Sequence, residues 1–66
     1  MSFIERIREE NRELSEKMLK LKDFMHTDLY VSLPAVEQGL LMVQLEAMEM
    51  YQETLARRLE IYSGKP

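Results

Sequence analysis

The sequence predicts an all-α protein: an antiparallel helical hairpin that assembles into a homo-oligomeric helical bundle. Three observations carry this. Residues 3–25 place apolar side chains on an alternating 3,4 spacing. Residues 33–62 carry two such stripes, and only seven residues separate the two segments. The chain is also too apolar for two helices to cover: 45% of its 66 residues are apolar, and there is no Cys.

The totals set the frame. Sixty-six residues make one domain, read as a single hairpin unit for oligomerisation and binding over 1–66. A core of this size seldom supplies more than about 3–5 kcal/mol, so small chains add disulfides, a metal or further copies. Without Cys there is neither a disulfide nor a thiolate site, and the lone His26 cannot hold a metal by itself. Further copies remain. The net charge of −3 argues against a general nucleic-acid binder, which needs a basic face. No run of 18 apolar residues offers a membrane span. The opening MSFIERIREE is charged at once, so it reads as no secretory leader, and a cytoplasmic location is expected.

The first helix is expected over about 3–25. Ser2 caps it, with Glu5 completing a capping box. Ile4, Asn11, Met18 and Met25 take heptad a positions, and Ile7, Leu14 and Leu21 take d positions. Asn11 is either a polar seam residue that fixes register or a point where the helix splays into water. Acidic residues lead and Lys17, Lys20 and Lys22 follow, complementing the helix dipole. Glu13–Lys17 and Glu16–Lys20 are expected as i,i+4 pairs on a solvated face.

Residues 26–32 interrupt the pattern. Thr27 and Asp28 favour a cap and a turn, and one helical turn at 28–31 is compatible with them. Leu29, Tyr30 and Leu33 are expected to plug the end of the helix pair. His26 is expected to meet the last carbonyls of the helix rather than to act in catalysis. The short connection makes the helices antiparallel neighbours.

The second helix is expected over about 33–62, with Ser32 as N-cap and Pro34 in its first turn. Leu41, Leu45, Met48, Gln52, Leu55, Leu59 and Tyr62 form the stripe that faces the first helix. Val36, Leu40, Val43, Ala47, Met50 and Ile61 form a second stripe, which needs another chain. Ala35, Gly39 and Ala47 share a small-residue face. Gly inside a helix costs about 1 kcal/mol relative to Ala, which suggests close approach by another helix. Met18, Met25, Met48 and Met50 read as core filling, while Met42 falls between stripes. The tail from Ser63 to Pro66 reads as a helix stop.

No enzyme signature emerges: no Ser/His/Asp set, no Cys nucleophile and no Gly-rich phosphate loop, so no catalysis, cofactor or metal is expected. The functional lead is a polar seam at steps of seven: Glu37, Gln44, Tyr51, Arg58. Arg58, with Arg57 beside it, offers planar donors to phosphate. Tyr51 can stack on a base, and Gln44 can bond polar edges. Gln44, Tyr51, Arg57 and Arg58 are therefore the candidate ligand-binding residues, in pockets between chains. The competing reading makes the seam a polar network that fixes how chains pair.

One stretch resembles a known family. Phe24, Thr27, Asp28, Tyr30, Ser32, Leu33 and Pro34 are followed by Glu37, Gln38, Leu40, Leu41, Gln44, Leu45, Met48, Tyr51, Leu55 and Arg58. This spacing is similar to that of a family of small helical phage proteins, often labelled crAssphage-related. The resemblance implies a phage origin, hence the host cytosol, and a helical fold; it brings no activity. In size and architecture alone the chain also looks similar to phage hairpin proteins that sequester nucleotide signals of bacterial immunity. Those signals are the cyclic oligonucleotides and ADP-ribose derivatives of CBASS and Thoeris defence. The expected function is thus an anti-defence protein that binds such a signal without turning it over. The alternative is an oligomeric helical protein that binds and inhibits a host protein.

Overall fold

In the computed structural model, which describes residues 2–63, the chain is a helical hairpin with a short helix at its turn. The elements are α1 (Phe3–Phe24), α2 (Asp28–Ser32) and α3 (Ala35–Ser63). There is no strand among the described residues. Of the helix stop expected at residues 63–66, Ser63 is still the last residue of α3, and residues 64–66 lie outside the described ones.

Helix α1 starts after Ser2, whose backbone is extended (φ −75°, ψ 158°) and whose hydroxyl accepts a hydrogen bond from the Glu5 amide at 3.1 Å. Ile7, Leu14 and Met18 bury the predicted heptad face, and Leu55 of α3, fully buried, closes against them. Leu45, Met48 and Leu59 pack around this cluster, so the inner stripe of α3 faces α1 as expected. The expected Glu13–Lys17 and Glu16–Lys20 pairs are replaced. Arg12 reaches both Glu9 and Glu16, because its fork can serve two carboxylates one turn to either side. The hydrogen bond to Glu9, then the charges of Glu9 and Glu16, raise the Arg12 pKa.

The turn differs from expectation in four ways. Thr27 caps α2 as predicted: its hydroxyl oxygen accepts from the Tyr30 amide and donates to the Phe24 carbonyl. Ser32, however, ends α2, and its hydroxyl donates to the Leu29 carbonyl. Helix α3 cannot begin at Leu33, because Pro34 forces the residue before it to be extended (φ −70°, ψ 153°). The cap role falls to Pro34, whose carbonyl accepts from the Gln38 amide at 3.0 Å. Finally, Tyr30 alone is buried as the plug, while Leu29 is 69% exposed and Leu33 is half-buried. The His26 side chain makes no hydrogen bond among the described residues; only its backbone amide does, to Asp23.

The core ends at Leu45, so the first ten residues of α3, about 15 Å of helix, run beyond it. The outer stripe stays in water: Val36, Leu40, Val43, Met50 and Ile61 are all exposed. Met50 therefore does not fill this chain's core, and Met42 is exposed as well. A Cβ placed on Gly39 would meet nothing within 4 Å, so no helix of the same chain approaches it.

Candidate functional site

Helical geometry spreads the candidate residues over one flank of α3. Each step of seven returns to nearly the same direction, with a drift of about 20°. Gln44, Tyr51 and Arg58 thus lie in line along the edge between the face packed on α1 and the outer stripe. Gln44 and Tyr51 are exposed, and neither makes a side-chain hydrogen bond among the described residues. Arg58 is half-buried, its guanidinium carbon 5.6 Å from the centre of the Phe3 ring. It has no carboxylate partner among the described residues.

Arg57 behaves differently. Consecutive helical residues point about 100° apart, so it faces the outer side, where it pairs with Glu53 at 3.0 Å. The structure therefore strings Gln44, Tyr51 and Arg58 along one line about 21 Å long and turns Arg57 away from it. Glu37, the first residue of the seam, is exposed near the start of α3, beyond the core.

Two features escaped the sequence reading. Phe3 of α1 and Tyr62 of α3 meet at the open end of the hairpin, ring centres 5.2 Å apart and planes at 89°, beside Arg58. The antiparallel pairing of first and last turns was the signal that could have found them. On the opposite flank, Ser15, Met18, Leu19, Lys22 and Gln52 line a shallow groove of about 270 Å³. There the Ser15 hydroxyl donates to the Asn11 carbonyl and accepts from the Gln52 amide. Lys22 faces Glu49 at 4.0 Å. None of the four candidate ligand residues lines this groove.

A family model described as Sequestin matches residues 1–61. The chain belongs to the Sequestin family. No curated protein and no solved structure gives a match. The Sequestin match spans all of α1, α2 and the seam with Gln44, Tyr51, Arg57 and Arg58, and stops one residue short of Tyr62. Among the described residues of this Sequestin chain, no group of three His, Cys, Asp or Glu is placed to hold a metal ion. No described helix is long and apolar enough to cross a membrane.

Proposed function

We propose that the chain is a phage-encoded anti-defence protein that sequesters a nucleotide-derived immune signal, a cyclic oligonucleotide or an ADP-ribose derivative. It binds this ligand in the host cytosol and does not turn it over, using no metal or cofactor. Membership of a family whose name denotes sequestration carries this reading. The flank of Gln44, Tyr51 and Arg58 supports it, because it carries an exposed ring, an exposed amide and a half-buried guanidinium with no carboxylate partner among the described residues.

The working form is a homo-oligomer. Accessible surface for a compact monomer of this mass is about 4,400 Å²; the chain exposes 5287 Å². The excess is roughly 900 Å², the area one partner contributes to a standard interface. The exposed outer stripe and the open space at Gly39 make α3 the face we assign to that contact.

The test is thermal unfolding with and without a panel of cyclic oligonucleotides and ADP-ribose derivatives. Binding to the folded form alone raises the midpoint, by the equivalent of about 2.7 kcal/mol at a hundredfold excess over Kd. Ligand recovered after denaturation must be intact. Absence of any shift across the panel defeats the proposal. A second reading, inhibition of a host protein, rests on the exposed Val36, Leu40, Val43 and Met50. It requires these residues to stay uncovered when the chain is alone in solution, which sedimentation decides.

A further inference from the structure

The open end of the hairpin holds a cluster with more exposed ring surface than a clamp requires. Phe3 lies in the first turn of α1 and Tyr62 in the last turn of α3. Their edge-to-face contact brings the helix ends together, yet Phe3 is 51% and Tyr62 48% exposed. The join beneath them is already made by Ile7 and Leu59 of the core. Half of two aromatic rings is thus left in water on a chain whose rings are few.

Arg58 completes the cluster. Its guanidinium sits 5.6 Å from the Phe3 ring centre and pairs with no carboxylate among the described residues. An exposed cation–π contact is weak, whereas a guanidinium–phosphate pair is charge-assisted and often bidentate. An incoming phosphate therefore competes well for Arg58. A ring that loses its cation exposes an apolar face, and a nucleobase is a flat partner for such a face.

We propose that Phe3 and Tyr62 form the nucleobase platform of the ligand site, and that Arg58 rests on the Phe3 ring until a phosphate takes it. The proposal rests on the nucleotide-binding reading above and adds residues to the same flank. A ligand that carries both groups exchanges two partners at once: base replaces guanidinium on the ring, and phosphate replaces ring on the guanidinium. Phosphate alone leaves the ring bare, and a nucleoside alone must displace the cation without offering it an anion. The site therefore selects molecules that join a base to a phosphate. Tyr51, one heptad before Arg58, lies on the other side of the cation and can take a second ring.

The experiment is calorimetric titration of the full chain with cyclic di-AMP and with ADP-ribose, for wild type, Phe3→Leu and Phe3→Tyr. Leu keeps apolar bulk at the helix start, and Tyr keeps the ring. We expect Phe3→Leu to bind at least one of these nucleotides about tenfold more weakly than wild type, the scale of one lost stacking contact. We expect its ligand-free thermal midpoint to stay within a few degrees of wild type, and Phe3→Tyr to retain binding. In the wild-type complex the Phe3 ring protons should move upfield, as they do beneath a stacked base. Unchanged affinity in Phe3→Leu, or unmoved ring protons at saturation, overturns the platform while leaving nucleotide sequestration standing. Wild-type chain that takes up neither nucleotide overturns both.

Discussion

Arg57 and Arg58 show how much one residue of helical rotation decides. Both are cationic and adjacent, so the sequence offers both to phosphate. The fold turns one toward Glu53 and the other onto Phe3. Arg58→Ala should weaken nucleotide binding by about tenfold or more, since hydrogen bonds to charged groups contribute about 1.5–3 kcal/mol. Arg57→Ala should leave affinity within about twofold, because an exposed i,i+4 pair contributes under 1 kcal/mol. Equal losses in the two variants, read by titration, would refute this division. Asn11 lies at the seam rather than splayed into water: its side-chain oxygen is buried and has no hydrogen-bond partner among the described residues. Replacing it by Leu removes an unmet acceptor that costs about 1–3 kcal/mol. Asn11→Leu should therefore raise the urea midpoint, and a lower midpoint would contradict the assignment. Burial of Asn11 was legible as a heptad position; the missing partner was not, because it depends on what α3 sets opposite.

At the scale of elements, the turn is held by Gln38. Its side-chain amide donates to the Val31 carbonyl at 3.1 Å and the Leu33 carbonyl at 2.8 Å, and its own carbonyl accepts from the Tyr30 hydroxyl at 3.1 Å. One residue thus satisfies carbonyls that the end of α2 leaves open. Gln38→Ala should cost about 1–3 kcal/mol in chemical denaturation through these orphaned acceptors. A variant as stable as wild type would show that water replaces the amide freely. The sequence located α1, the turn and the inner stripe of α3 from periodicity alone. It placed the start of α3 too early, because Ser32 and Pro34 read as a cap and first turn when Pro34 in fact holds Leu33 extended. Gln38 gave no signal: a polar residue on a helix shows its reach only once a neighbouring chain segment is in place. The Phe3–Tyr62 contact was hidden for the same reason.

The whole molecule is long rather than round. Its radius of gyration is 15.0 Å, against about 11 Å for a compact chain of this length. Its extents of 46 × 19 × 15 Å match one long helix with a shorter one beside it. Such a shape leaves the outer stripe of α3 uncovered. The double substitution Leu40→Glu with Val43→Glu should leave helical circular dichroism intact and reduce sedimentation to monomer mass. Wild-type chain that sediments as a monomer at all concentrations would refute self-assembly. The apolar surplus behind this expectation was visible in composition; the number of copies and their arrangement were not, because one sequence shows faces without showing what they meet. The two stripes of α3 carry a last consequence, which concerns changes in length. Inner and outer faces both keep step with seven residues, so they share one phase. Inserting a single residue after Glu46 would rotate all that follows by about 100° and swap core positions for solvent ones. Inserting seven in α3 and seven in α1 would keep both faces aligned. The paired part of the hairpin therefore keeps both faces when it lengthens by whole heptads, added to both helices together.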